Sequence, residues 1–442
     1  MTNDTSDRSL FASLVNDVDD AITGRDHDDR EFDLIVFGAS GYMGRMICTY
    51  LAQNAPRTLK WAIAGRNSDK LVRVRNELVK IEERFKDMGV IVADMRHFNT
   101  LSTIAAKARL IINATGPYGE LGIDMVKACV NEKTDYVDLS NENIFTRKII
   151  DAFDAKAREN HTMIIPACGF YSMPADLGAY VLTKHIRHKY HRETKRIKGT
   201  VQTQKEVLSR GAVHSILHAA KSFFSTLRQM LDPYYLVTGQ GPRPANIRDF
   251  FLPIYYDSDF EGAQGFYLGS SGNEQVVRRT NQVKGYKYGE KFTYTESRTY
   301  TNRFTAMYYT ATEVGFCSCL LFPPFRWFMR LVWPRWAGEP TQKKLEGGSW
   351  TMKFVGRVAY EKKHDKENIP KTVKAVLSDR TDPRVNGSVK LIVEAALAMI
   401  EDRHGLPGHN GGVLTPASAL GTPLVERLRR VGVHIEVGED AW

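Results

Sequence analysis

The chain is expected to be an α/β protein: an N-terminal doubly wound parallel sheet, then an α+β region with a mixed or antiparallel sheet. Three observations predict this. Short apolar runs alternate with helix-period segments from Asp33 to about residue 168. The first run stops at a glycine, and two more glycines follow at three-residue spacing. After residue 169 the alternation gives way to scattered strand-like segments and aromatic-rich loops.

Taken in order, residues 1–30 are polar and Asp-rich, with no basic segment leading into an apolar one. They are expected to form a disordered arm, with a short helix at Leu10 to Val18, and not a secretory leader. Asp33 to Phe37 is the first strand. Gly38-Ala39-Ser40-Gly41-Tyr42-Met43-Gly44 turns the chain into a helix at Arg45 to Gln53. In this Rossmann-type strand–turn–helix setting Gly38 allows the tight turn and Gly41 lets the backbone approach a pyrophosphate. Gly44 lets the helix pack closely on the strand. Ser40, Tyr42 and Met43 complete the candidate cradle, with first-turn N–H groups facing the phosphates.

The second strand, Leu59 to Ala64, ends in Gly65-Arg66-Asn67. An NAD site places an acid near this point to hold the ribose 2′-hydroxyl, and no acid stands here. A guanidinium suits a 2′-phosphate, so Arg66, with Asn67 beside it, points to NADP(H). The plainer alternative makes Arg66 and Lys70 solvated residues at a helix start. Val90 to Asp94 and Leu110 to Tyr118 form the third and fourth strands with their following turns. Ligands sit outside the carboxyl ends of such strands, which places Asp94, Ala114, Thr115 and Gly116 at the cofactor edge. Tyr136 to Ser140 and Thr162 to Pro166 add two strands, separated from their neighbours by helices at Asp124 to Asn131 and Asn143 to Asn160.

A helix is expected from Ala175 through Lys189 and another over Gly211 to Met230. Strands are expected at Ile197 to Gln204, Phe292 to Tyr300, Ser349 to Tyr360 and Lys371 to Leu377. Helical periodicity returns at Ser388 to Arg403 and Leu420 to Val431. The expected divisions are an arm at 1–30, a cofactor domain at 31–168, a substrate domain at 169–387, and C-terminal helices at 388–442 returning to the first domain.

At 442 residues, more than one core is expected. Five cysteines without paired metal-ligand spacing argue against a disulfide framework and fit a reducing intracellular compartment. The formal charge is +10, and Lys184 to Lys198 is densely basic. Such a run is a solvated surface or faces anionic lipid. Nucleic acid is not expected, since no RRM, zinc-finger or helix-turn-helix pattern is present. Thr310 to Trp336 is the most hydrophobic stretch. Its longest uncharged run, Val314 to Phe325, falls short of the roughly 20 residues a spanning helix needs. Tryptophans interleaved with Arg326, Arg330 and Arg335 suit a lipid surface; a buried hairpin over a substrate pocket, or a dimer contact, fits equally.

Six pieces, in order, carry a resemblance: GASGYMG at Gly38, AGRN at Ala64, NATGPYGELG at Asn113, DYVDLSNE at Asp135, PACGFYSMPADLG at Pro166 and GGVLTPASALG at Gly411. Together they resemble the saccharopine dehydrogenase-like oxidoreductases, including the trans-acting enoyl reductases of bacterial lipid synthesis. The resemblance implies an NADP-binding Rossmann domain, a central substrate domain and a C-terminal helix that returns to the first domain. It also implies homodimers and, from animal members, an association with lipid droplets and membranes. Related sequences have Asp where this chain has Tyr171, so a role resting on that Asp is not carried over.

A nicotinamide enzyme needs a proton source beside the hydride path. Tyr118, Tyr171 and His214 are the candidates, each with packing or surface exposure as its alternative. No metal site or serine-type triad is evident. The expected function is an NADPH-dependent reductase of a hydrophobic acyl or enoyl group. The rival is an NADPH-binding protein of a lipid surface with little or no catalysis.

Overall fold

The computed structural model describes residues 30–204, 206, 217, 228–244, 254–320, 322–336, 339–360 and 369–442. The arm at 1–29, most of the helix expected over Gly211 to Met230, and His214 within it lie outside the described residues. The chain divides into two compact units, one of residues 1–168 with 389–414, the other of 169–388 with 415–442.

The first unit is a seven-stranded sheet whose paired strands all run parallel. β1 (Phe32–Phe37) leads through α1 (Tyr42–Asn54) to β2 (Trp61–Gly65), and α2 (Ser68–Val79) leads to β3 (Gly89–Val92). α3 (Phe98–Ala105), β4 (Ala108–Asn113), α4 (Tyr118–Asn131), β5 (Asp135–Asp138), α5 (Asn143–Glu159) and β6 (Met163–Ile165) follow. The spatial order from the far edge is β6, β5, β4, β1, β2, β3, so the strand order reverses between β1 and β4, where a ligand crevice opens in folds of this kind. Leu34, Ile35, Val36, Ile63, Ile111 and Val137 are fully buried, as strands covered on both faces must be.

The second unit holds a mixed seven-stranded sheet. α6 (Met173–Tyr190) leads into β7 (Thr194–Gln204). β8 (Tyr255–Asp257), β9 (Gly262–Gly265), α7 (Ser270–Val283) and β10 (Thr293–Tyr300) follow. Next come α8 (Arg303–Leu320), α9 (Pro323–Trp336), β11 (Ser349–Val358) and β12 (Thr372–Asp379). β7 and β10 pair in parallel, and the other pairs are antiparallel. α6 packs on β11 and β12, and α7 on β10.

α10 (Ser388–Glu401) and β13 (Gly412–Val413) return to the first unit, where β13 extends the parallel sheet beside β6. α11 (Gly421–Arg430) and β14 (His434–Gly438) belong to the second unit, and β14 pairs with β12. The C-terminal segment, expected to return to the first domain as one piece, is thus shared. The reason is β14, a half-buried strand whose unpaired backbone groups are satisfied by the edge of the second sheet.

α8 and α9 form a helical hairpin. Phe325, Met329 and Trp333 of α9, spaced four apart, pack with Phe316 of α8 around Leu217 and Leu320. Phe304, Met307, Tyr308 and Val314 of α8 and Trp327, Phe328 and Leu331 of α9 remain exposed, Trp327 by 67%. One face of this stretch is therefore packed and the other open. Among the described residues no helix is long and apolar enough to cross a membrane.

Candidate cofactor and substrate sites

The phosphate loop is set by contacts a side chain would destroy. Gly38 leaves β1 with φ +83°, and a Cβ there would sit 2.3 Å from the Thr115 hydroxyl. Its N–H bonds the Ala64 carbonyl (2.9 Å) and its carbonyl accepts the Gly41 N–H (2.9 Å). Gly44, in the first turn of α1, would place a Cβ 2.1 Å from the Gly38 carbonyl oxygen, so only a bare backbone lets α1 pack this tightly on β1. Gly41 is exposed and would meet only the Gly38 carbonyl at 3.2 Å, which leaves its outer side open to a ligand. Tyr42 and Met43 begin α1, whose N-terminus has no side-chain cap and no acid in its first turn. That is the electrostatic setting of a pyrophosphate site. Ser40 brings its hydroxyl 3.8 Å from where a Cβ on Gly65 would stand, so the loop closes against the end of β2.

Arg66 follows β2 and is exposed. Asn67 caps α2, its Oδ1 accepting the Lys70 N–H at 2.9 Å, which accounts for that residue structurally. Asp94, half-buried beyond β3, accepts the Arg96 N–H (3.1 Å) through its carboxylate and the His97 N–H (2.9 Å) through its carbonyl. Ala114 extends the ladder to Phe37 (2.9 Å), Thr115 donates its N–H to Asn113 Oδ1 (3.0 Å), and Gly116 is exposed. These residues all lie at the carboxyl ends of neighbouring strands of one sheet. Bare glycine backbone, an uncapped helix start and an exposed guanidinium fit the phosphate groups of a dinucleotide.

Tyr118 is buried, and its hydroxyl donates to the Asn113 carbonyl at 3.1 Å. Burial, then the nearby Asp138, pushes the phenol well above its ordinary range. Its backbone N–H and that of Gly119 bond the Glu142 carboxylate (3.1 and 2.8 Å), which anchors the start of α4. The geometry gives Tyr118 a packing role. Beneath it runs a chain the sequence did not single out. Asn113 Nδ2 donates to the Tyr136 hydroxyl (3.1 Å), which donates to Asp138 Oδ2 (2.8 Å); Asp138 Oδ1 accepts the N–H groups of Ser140 (2.8 Å) and Ala167 (3.0 Å). Burial lifts the Asp138 carboxyl to about 6, although these bonds favour its charged form. The alternation Tyr136-Val137-Asp138 at a strand end was the available signal, since it puts both polar groups on one face.

In the second unit Tyr171 is half-buried at the entry to α6. Arg384 donates to its hydroxyl, with the guanidinium 5.0 Å from the ring centre. Arg384 also donates to Glu206 Oε2 through Nε (2.9 Å) and Nη2 (2.6 Å). Arg298 pairs with Glu206 Oε1 and, at 3.2 Å, with Glu313, and lies 5.4 Å from the Tyr267 ring centre. The result is an alternating line, Glu313, Arg298, Glu206, Arg384, Tyr171. Burial would raise the Glu206 carboxyl, but Arg384 and Arg298 overcome it and hold the group below its usual range. Burial raises the Tyr171 phenol, Arg384 opposing, so the hydroxyl keeps its proton at neutral pH beside a cation that would stabilise its anion. Among the described residues no cluster of His, Cys, Asp or Glu could hold a metal ion.

Comparison with known proteins places this geometry in a class. Residues 34–165 match the saccharopine dehydrogenase NADP-binding domain. A trans-acting enoyl reductase of Mycobacterium bovis (strain BCG / Pasteur 1173P2) is 30% identical over 429 residues, covering 92% of this chain and 97% of the relative. One from Mycobacterium ulcerans (strain Agy99) is 30% identical over 434 residues with the same coverage. The fold of saccharopine dehydrogenase (L-Glu forming) from Saccharomyces cerevisiae superposes with a TM-score of 0.51 at 11% identity, covering 92% of this chain and 99% of that one. These matches define an NADP(H)-dependent oxidoreductase. The chain belongs to the saccharopine dehydrogenase-like family, alongside the trans-acting enoyl reductases.

Proposed function

We propose that this oxidoreductase reduces a hydrophobic acyl or enoyl lipid-type substrate with NADPH. The observation that carries the reading is the match, over nearly the whole of both chains, to relatives named trans-acting enoyl reductases. The exposed aromatic face of the α8–α9 hairpin supports an apolar substrate or surface. When bound, NADPH would supply hydride for the β-carbon of an enoyl group, and the α-carbon would need a proton. The chain's part is to hold the phosphates on the Gly38 to Gly44 loop and Arg66, and to supply that proton. Tyr171 is our choice of donor: it carries its proton at neutral pH, and Arg384 stands by the phenolate left behind.

The test is stopped-flow and steady-state NADPH oxidation with medium- and long-chain enoyl thioesters. Turnover, lowered at least about a hundredfold in Tyr171→Phe with NADPH affinity unchanged, is expected from the loss of a general acid. A second reading, an NADPH-binding protein of a lipid surface with little catalysis, is favoured by the Tyr171 hydroxyl being already engaged by Arg384. NADPH binding without oxidation across the thioester series would support it over the reductase.

A further inference from the structure

We propose that Lys184, Lys284 and Thr422 of the second unit form a binding site for a phosphate monoester group. Tyr180 and Lys184 lie one turn apart on α6. The Lys184 ammonium donates to Thr422 Oγ1 at 2.6 Å, and the Tyr180 hydroxyl shares a 2.8 Å hydrogen bond with the same oxygen. From the end of α7, the Lys284 ammonium sits 5.1 Å from the centre of the Tyr180 ring. Lys287 adds a further ammonium on the same turn, its carbonyl accepting from Arg187 at 3.4 Å. One cation thus bonds the hydroxyl pair, a second lies over the ring that carries one of those hydroxyls, and a third stands near the second.

Among the described residues no carboxylate pairs with Lys284 or Lys184. Lys284 is half-buried, and among the described residues it has no carboxylate partner and no hydrogen-bond acceptor. Asp176 is the acid it feels, but that carboxylate already accepts the Thr280 hydroxyl and, at 2.8 Å, the Ala417 N–H. Burial lowers the Lys284 ammonium below its ordinary range, and Lys287 and Lys184 lower it further, with Asp176 opposing. A half-buried cation facing like charges is a standing electrostatic cost that an anion would remove. The start of α11 adds to the same field. Thr422 lies in its first turn, no side chain caps it, and no acid occupies that turn. Point-like ammonium groups and a hydroxyl carried on separate elements suit the tetrahedral oxygens of a phosphate better than a flat carboxylate, which prefers the planar fork of arginine. Lys184 is exposed and Thr422 half-exposed, so the group can arrive from solution, either on a free phosphate ester or on a lipid headgroup.

Site-resolved acetylation of the full chain, read by mass spectrometry at pH 8 and constant ionic strength, tests this. Inorganic phosphate should slow modification of Lys284 about tenfold, since a bound dianion both shields the amine and keeps it protonated. The exposed Lys195 should react at an unchanged rate. Protection should persist in Arg66→Ala, which separates this site from the cofactor loop. It should be lost in Lys184→Met/Thr422→Val, and in Thr422→Val alone it should weaken while the circular-dichroism spectrum stays native. Phosphatidylcholine vesicles containing phosphatidic acid form the second arm. Protection by vesicles at phosphate concentrations where the inorganic ion is ineffective assigns the site to headgroups; equal protection by the inorganic ion assigns it to free esters. No protection in either arm, or full protection in both variants, overturns the proposal.

Discussion

Replacing Glu296 with glutamine should stabilise the protein, and increasingly so as pH rises. Glu296 stands on β10, 8% exposed, accepting hydrogen bonds from Asn273 Nδ2 (2.8 Å) and the Tyr294 hydroxyl (2.6 Å). Among the described residues no cation pairs with it. Burial raises its carboxyl from the ordinary 4.5 to about 8, with Glu274 adding to the shift. Between those two values the folded chain holds a proton that the unfolded chain has released. The folded state therefore binds more protons, and stability must fall as pH rises through this window. The contribution is intact below pH 4.5 and gone above about pH 8. At roughly 1.4 kcal/mol per pH unit, the interval sets a ceiling of about 5 kcal/mol, of which about 3 is already lost at pH 7. Glutamine removes the titration and keeps the shape; the Tyr294 hydroxyl can turn to accept from the new amide. Asp138 and Asp176, both raised by burial to about 6, titrate in either protein, so the difference between the two above pH 6 isolates Glu296. Urea unfolding at pH 5, 6.5 and 8, followed by tryptophan fluorescence, should show both proteins losing stability up to about pH 6 as Asp138 and Asp176 titrate, and the wild type losing more throughout, with a gap of about 2–4 kcal/mol at pH 8. Parallel pH curves, or a variant weaker at pH 8, would refute the reasoning.

Arg66→Ala should weaken NADPH about ten- to a hundredfold and leave NADH untouched, the loss of one charge-assisted phosphate contact; equal losses for both in calorimetric titration would remove the 2′-phosphate assignment. Gly41→Val should fold and fail to bind NADPH, because its open side faces the ligand, whereas Gly44→Val should unfold the first unit, its Cβ meeting the Gly38 carbonyl at 2.1 Å. Identical circular-dichroism melts for those two variants would contradict the division. Trp327→Ser/Phe328→Ser/Leu331→Ser, three exposed residues of α9, should abolish flotation with anionic liposomes while NADPH still binds; Trp333→Ser should instead lower the melting temperature, since that side chain packs on Phe316, 5.4 Å between ring centres.

The first sheet was legible because most of its strands centre on short apolar runs that stop at glycine, aspartate, asparagine or proline, and its helices keep a 3.6-residue period. What escaped were pieces too short to show a period: β8, β9 and β13 span three, four and two residues. They exist only because a neighbouring strand offers an edge. The cofactor loop was legible because its whole geometry lies within seven residues. Tyr171 was found, but its partners were not. Glu206 and Arg384 are 178 residues apart, and no local spacing brings them together. The hairpin is a different case. Phe325, Met329 and Trp333 fall four apart while Trp327 and Phe328 fall between them, so the helical period already separated the packed face from the open one.

The pieces that carried the family resemblance in the second unit turn out to be framework. PADLG and LTPASALG meet at Asp176, which accepts the Ala417 N–H at 2.8 Å and the Thr280 hydroxyl, itself bonded to Thr415. Thr415 closes a capping box with Ser418, and Gly178 lies where a Cβ would come within 2.2 Å of Phe354. These residues hold α6, α7 and the segment before α11 in register; none offers a free group to a substrate. The side chains with chemistry to offer, Glu206, Arg298, Arg384 and the open face of α9, all lie outside those motifs, and Tyr171 lies inside one. The framework thus accounts for the fold, and the choice of substrate is expected to lie with Tyr171, Glu206, Arg298 and Arg384. A relative carrying Asp at the position of Tyr171 would place a charge beside Arg384, and exchanging the two residues is expected to alter turnover and its pH profile before it alters NADPH affinity.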